Sequence, residues 1–284
     1  MQYIALAISA VIAAALTWRD GSLPTKVAVF LAAGAFIDVA DIGAILLDLY
    51  RYRPGLLPEA VADARLGALL ADFLFVPVIT AVGFGAVRHS RLLVGVLLVG
   101  TVTALEHAFV RAGVFVRTGW KLWHSAVLFS LFSAVMAWWS EWFEREGYSP
   151  LNRAVVILCA LQYTWTIVSL LLGGVLHLLE LRLFWLPSPE KDEVLAGVVL
   201  YLVPFSLIAG TLVWRRLATR PAWVLTAGLI WSAWAWVLGS VGLRRDAPAW
   251  GPVQAGMVMA AVVPMLGTLD EWFARNSERA GLRH

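Results

Sequence analysis

The sequence predicts an all-α, polytopic transmembrane helix bundle of about nine spans. Three observations predict it. Hydrophobic residues make up 61% of the 284 residues, above the roughly 45–50% of soluble domains. Charged residues fall to 14%, against about 25%. The apolar residues also come in runs of about 20, the length that crosses a bilayer. A chain this apolar lacks the polar surface to cover itself in water. A soluble enzyme, a nucleic-acid reader and a disordered scaffold are therefore excluded. With Lys+Arg 22 and Asp+Glu 19, the charge balance offers no polyanion surface. The partner read from composition is the lipid bilayer.

The spans fall near 2–17, 27–49, 66–87, 92–114, 120–142, 153–182, 194–214, 222–243 and 252–274. The first is short and has no basic flank before it, unlike a secretory signal. Arg19 and Lys26 follow it. When alternate loops are placed on two faces, the face with the C-terminal tail holds the larger share of Lys and Arg. The positive-inside tendency then puts the N-terminus outside and the C-terminus in the cytoplasm. Cys159 is the single cysteine and permits no internal disulfide.

Gap-free shifts suggest an internal repeat. A shift of 130 aligns Trp120 with Trp250 and Glu141-Trp142-Phe143 with Glu271-Trp272-Phe273. A shift of 129 aligns Leu57-Pro58 with Leu186-Pro187, and 127 aligns Val76-Pro77 with Val203-Pro204. The expected organisation is an N-terminal span and loop over 1–26, a four-helix unit over 27–146 and a second over 147–284. The units differ in polarity. At these shifts Asp72 faces Val199, Glu106 faces Trp236, His107 faces Val237, Arg111 faces Val241 and His124 faces Gln254.

Ionisable side chains inside a span are costly, so they face a protein interior or water and mark functional sites. Asp38 and Asp41 lie in span 2, Asp72 in span 3, Glu106, His107 and Arg111 in span 4, Trp123 and His124 at the start of span 5, and His177 at the end of span 6. Depth counted at about 1.5 Å per residue places these groups in the outer half of the membrane. The expectation is one outward-facing pocket lined by Asp38, Asp41, Asp72, Glu106, Arg111, Trp123, His124 and His177. The bland alternative is an ion-pair network that merely holds helices together. Asp48, beside Arg51 and Arg53, reads as an interfacial charge, and so does Glu180 beside Arg182.

Crowded carboxylates in low dielectric do not all stay ionised, which suits proton carriers and general acids. Asp72, Glu106, His107 and His124 are the catalytic candidates. The spaced pair Asp38 and Asp41 is a weak signal for Mg²⁺. A divalent metal held by His107, His124, His177 and Glu106 is a weaker alternative; no cofactor is expected. No Walker loop or GxSxG segment is present, which removes nucleotide-driven transport and serine esterases. Fifteen tryptophans lie mostly at span ends, as an aromatic belt. Trp165, Trp231, Trp234 and Trp236 lie deeper, for packing or for ligand contact. Gly34, Gly43, Gly83, Gly85, Gly173 and Gly174 are expected at close helix contacts, and Pro77 and Pro204 at kinks.

Two stretches carry a family resemblance: Gly34 to Gly43 with Asp38 and Asp41, followed by Tyr52 to Pro54; and Ala104 to Phe109 with Glu106 and His107, followed by Gly113, Trp120 and Trp123 to Ser125. Over about 30–146 the chain resembles a family of small uncharacterised membrane proteins of spore-forming Firmicutes. The resemblance implies a Gram-positive plasma membrane and lends no mechanism; the second half resembles no known family. Three function classes follow: ion- or proton-coupled transport or binding of a small solute, a membrane enzyme acting on a lipid or isoprenoid, and a non-catalytic subunit or sensor.

Overall fold

The structure, a computed structural model, describes residues 2–17, 22–86, 90–200, 221–248 and 250–279. It divides into two compact units, 1–152 with 276–284, and 153–275. The N-terminal stretch 1–26 therefore belongs with the first unit.

In the first unit, α1 (Gln2–Leu16), α2 (Leu23–Leu46), α3 (Ala60–Leu70), α4 (Val76–Ala86), α5 (Arg91–Arg111) and α6 (Leu122–Glu146) are joined by two short strands. The strands are β1 (Tyr50–Tyr52) and β2 (Phe115–Arg117). Helix α2 packs on α4 and α6, α5 on α6 and α4, and α1 on α3 and α4. Caps set the ends. Ser22 accepts the Thr25 N–H at 3.4 Å, with Pro24 in the first turn where its missing N–H costs nothing. Glu59 accepts the Val61 and Ala62 N–H groups at 3.0 and 2.5 Å to start α3. Gly147 ends α6 at φ 58°, a conformation that favours glycine.

A π-helical turn, Ala71–Phe75, joins α3 to α4. Pro77 follows it and lacks the N–H that would bond the Phe73 carbonyl. The wider turn absorbs that missing bond, and the Val76 N–H reaches back to Ala71 instead. The expected proline irregularity is thus a π turn, which also rotates Asp72 relative to an unbroken helix.

The strands pair antiparallel, with Tyr50 opposite Arg117 and Tyr52 opposite Phe115. The Leu49 carbonyl accepts the N–H groups of Thr118, Gly119 and Trp120, each at 3.0 Å. The turn after α2 is thereby tied to the turn after α5. Between β1 and α3, the Asp63 carboxylate accepts three backbone N–H groups, from Gly55, Leu56 and Leu57, at 2.7–2.9 Å.

The second unit has most of α7 (Pro150–Ser169), a π turn (Leu170–Val175), β3 (Leu179–Leu181), a helical stretch over 189–200, α8 (Pro221–Ser240), β4 (Arg244–Asp246) and most of α9 (Pro252–Arg279). Strands β3 and β4 also pair antiparallel. Asp192 accepts the N–H groups of Leu183, Phe184, Trp185 and Leu186 at 2.9–3.1 Å. Positive φ falls at Asp48 and His177, at Gly55 and Phe184, and at Gly113 and Gly242. Each of these pairs is related by the same shift that aligns Leu57-Pro58 with Leu186-Pro187, and so are Asp63 and Asp192.

Among the described residues, six helical segments are long and apolar enough to cross a membrane: Leu23–Leu46, Ala60–Gly85, Arg91–Arg111, Leu122–Glu146, Pro150–Gly173 and Pro252–Asn276. Gln2–Leu16 and Val224–Ser240 are shorter apolar helices. Most of the expected span 194–214, with Pro204, lies outside the described residues. Span 6 ends earlier than expected, because the chain turns into β3 by Leu179. Lys26, assigned above to a loop, is buried in the first turn of α2. There its side chain lies against Gly85, where an added Cβ would collide with the Lys26 Cγ. Gly43, expected at a contact, has nothing within 4 Å of a Cβ.

Candidate functional site

The site begins with an alternation. Tyr50 and Tyr52 sit two apart on β1, so both rings leave the strand on one side. Tyr50 donates its hydroxyl to Asp41 Oδ1 at 2.7 Å. Tyr52 donates to Asp72 Oδ2 at 2.5 Å. The strand thus links a carboxylate of α2 to one on the π turn. Asp38, Asp41 and Asp72 are only 3%, 5% and 8% exposed. Asp38 lies one helical turn before Asp41 and adds its charge to the same region.

Aromatic rings close around these groups. Tyr3 of α1 meets Tyr52 edge-on at 6.0 Å and Phe109 at 4.8 Å, and its hydroxyl donates to the Val114 carbonyl at 3.1 Å. Phe115 lies 5.0 Å from Tyr50 and 5.3 Å from Tyr52. Trp120 touches Tyr50 at 5.7 Å. The Tyr50 and Tyr52 phenols ionise well above the usual tyrosine range, first because they are buried and then because the carboxylates Asp41 and Asp72 lie near. They are neutral hydrogen-bond donors at physiological pH.

Glu106 is arranged differently. Arg117 Nε donates to Glu106 Oε1 at 2.8 Å, and Ser125 donates to Oε2. Trp120 Nε1 in turn donates to Ser125 Oγ at 2.5 Å. This carboxylate has a cation, a hydroxyl and, one step behind, an indole N–H. The edge contact between Trp120 and Tyr50 sets the two groups side by side.

The expected single ring of ligands therefore separates. Asp38, Asp41 and Asp72 come together, and Glu106 stands next to them with its own counter-ion. His107 and Arg111 are exposed. Trp123 is exposed and packs on His124, whose Nδ1 accepts the Lys121 N–H at 2.9 Å as a helix cap. His177 is exposed in the second unit. Among the described residues no group of three or more His, Cys, Asp or Glu is placed to hold a metal ion. Asp48 pairs with Arg51 at 3.1 Å on the surface, and Glu180 with Arg182 at 3.5 Å. Of the deep tryptophans, Trp231 is core and packs on Trp165 at 5.0 Å. Trp234 donates to the Leu200 carbonyl at 2.7 Å, and Trp236 is exposed.

Sequence reasoning did not single out Tyr3, Tyr50, Tyr52, Arg117 or Ser125 as members of the site. The one available signal was the Tyr50/Tyr52 alternation, a period of two in an otherwise helical chain. No protein-family model, curated protein or solved structure matches this chain.

Proposed function

We propose that this chain is an integral membrane protein that binds a proton or another cation in its first unit and couples it to binding or transport of a small solute. One observation carries the reading. Asp41 and Asp72 are buried, and their hydrogen-bond partners are neutral tyrosines. Removing a carboxylate from water costs several kcal/mol, on the order of 3 or more. Elsewhere this chain offsets that cost with arginine: Glu106 with Arg117, and Asp270 with Arg153 through two bonds of 2.7 and 2.8 Å. Among the described residues Asp41 and Asp72 form no such ion pair. A site built around uncompensated buried carboxylates suits an exchangeable positive charge.

Three further parts belong to the same reading. The two units arose as a tandem duplication, supported by the common shift of 129 that relates their turns and loop-capping aspartates, and by their matching strand pairs. The second copy holds Leu179 and Leu181 where the first holds Tyr50 and Tyr52, so the chemistry stays in the first. The protein resides in a bacterial plasma membrane with the N-terminus outside, and its site opens outward, as the loop charges and the depth of the acids suggest. An acid–base enzyme would instead ask for a histidine beside Asp72, whereas His107 is exposed and His124 serves as a helix cap.

The test is a flux measurement. The full chain is reconstituted in liposomes loaded with a pH-sensitive dye, and an external acid or Na⁺ pulse is applied with and without a panel of amino acids, organic acids and amines. Wild-type vesicles are expected to respond faster than protein-free ones, and D41N and D72N to lose the difference. Unchanged flux in both variants would refute the reading.

A further inference from the structure

The geometry points to Tyr50 and Tyr52 as a two-hydroxyl relay that shares one proton between Asp41 on α2 and Asp72 on the π turn, which makes the proton the coupling ion. This rests on the cation-linked reading of the site and goes a step beyond it, since that reading leaves the cation open.

The hydrogens available to these four groups can be counted. Tyr50 contacts Asp41 at 2.7 Å and Tyr52 contacts Asp72 at 2.5 Å. The Tyr50 and Tyr52 rings meet edge-on at 5.7 Å, which sets the two phenols side by side between the carboxylates. Four groups thus stand in a row, with a hydrogen bond at each end and the phenol pair in the middle. With both carboxylates ionised, only two hydrogens are available, one per phenol, and both are given to the carboxylates. No hydrogen is then left to lie between the two phenols.

One added proton completes it. With the proton on Asp72, that acid donates to Tyr52, Tyr52 donates to Tyr50, and Tyr50 donates to the Asp41 carboxylate. In the transfer the Asp72 O–H breaks as its hydrogen bonds to the Tyr52 oxygen. The Tyr52 hydrogen passes to Tyr50, and the Tyr50 hydrogen passes to Asp41. The result is the mirror arrangement, with the proton on Asp41, the negative charge on Asp72 and both phenols neutral. Three O–H bonds break and three form, and no other reactant is needed.

The surrounding charges agree with one proton held by the pair. Asp38 on α2 adds negative charge beside Asp41. On α3, Asp63 is committed to backbone N–H groups. From β2, Arg117 is committed to Glu106 of α5, and Tyr3 of α1 donates to Val114. The relay end on the π turn sits where the helix departs from regular bonding, as π turns at functional sites often do.

Infrared difference spectra between alkaline and acid buffer test this on the purified full-length protein in lipid, with choline as the only added cation. A protonated-carboxyl band is expected that D41N and D72N each displace or remove, accompanied by a tyrosine C–O change that is lost in Y50F and in Y52F. In Y52F, which keeps the ring and deletes one hydroxyl, the band should respond to only one of the two asparagine substitutions. If both substitutions still act on the band in the Y52F background, the aspartates communicate without the relay and the inference falls. Loss of the band when Na⁺ replaces choline at fixed pH would give the site to a metal cation; it overturns the proton assignment while leaving the cation-linked reading intact. Absence of any Asp41- or Asp72-dependent signal, with either cation, sinks both. Thermal unfolding of Y50F and Y52F within about 2 °C of wild type, under about 1 kcal/mol of stability, shows that the fold is retained.

Discussion

Asp192→Asn is a test of how the loops between strand and helix are held. The wild-type carboxylate accepts two backbone N–H groups on each oxygen: Leu183 and Phe184 on Oδ2, Trp185 and Leu186 on Oδ1. Asparagine keeps the shape but offers one oxygen, so one pair of N–H groups faces an NH₂. Two buried donors left unsatisfied cost about 1–3 kcal/mol each, hence about 2–6 kcal/mol in all. At about 2–4 °C per kcal/mol, thermal unfolding followed by tryptophan fluorescence should fall by about 4–24 °C. Asp63→Asn makes the comparison quantitative. Its amide can turn toward Gly55, the sole donor to Oδ2, leaving one N–H unsatisfied and about 1–3 kcal/mol lost. The pH dependence has a fixed sign. Burial raises the Asp192 carboxyl, but its four backbone donors more than reverse this and hold it below the usual carboxylate range. A depressed value contributes stability that is fully present above about pH 4, the unfolded carboxylate value. It is lost as pH falls through the folded value. The gap between wild type and D192N should therefore be complete at neutral pH and close only under strong acid. A D192N loss below about 2 °C, or a larger loss for D63N than for D192N, would refute the reasoning.

Three other outcomes follow from contacts elsewhere in the two units. Arg117→Met leaves the Glu106 carboxylate without its cation and should cost about 3–5 kcal/mol. The double variant with Glu106→Gln should recover much of that loss in the same unfolding assay. Gly256→Ala drives a Cβ into Ser232 Oγ and to 2.5 Å from the Gly228 carbonyl oxygen. It should force α8 and α9 apart at about 1–3 kcal/mol. Gly43→Ala meets nothing within 4 Å and should be neutral or stabilise by up to about 1 kcal/mol through helix propensity.

Much of this molecule is written locally. Apolar run length is a property of consecutive residues, so the helices over 23–46, 91–111 and 122–146 are legible within a few positions. The rule that acids inside such runs turn away from lipid singles out Asp38, Asp41 and Asp72 without coordinates. Depth counting goes wrong where it assumes that groups at one height share one hollow. Glu106, which that counting sets near the same height, has its own arginine, while His107, next in the chain, points about 100° further round the helix and is exposed.

What the sequence alone determined is which segments are helical and apolar, and which of their side chains are too polar to face lipid. Tertiary structure decided the partners. Arg117 reaches Glu106, and Tyr52 reaches Asp72 further down the chain, because one very short strand pairs with another equally short that lies beyond three intervening helices. A period-two signal confined to Tyr50–Tyr52 is too brief to separate from chance. A π turn that re-aims Asp72 is a local change of backbone bonding, in which the Val76 N–H reaches Ala71. Composition is blind to both, since each is a choice between hydrogen bonds of similar strength that only the packed surroundings settle.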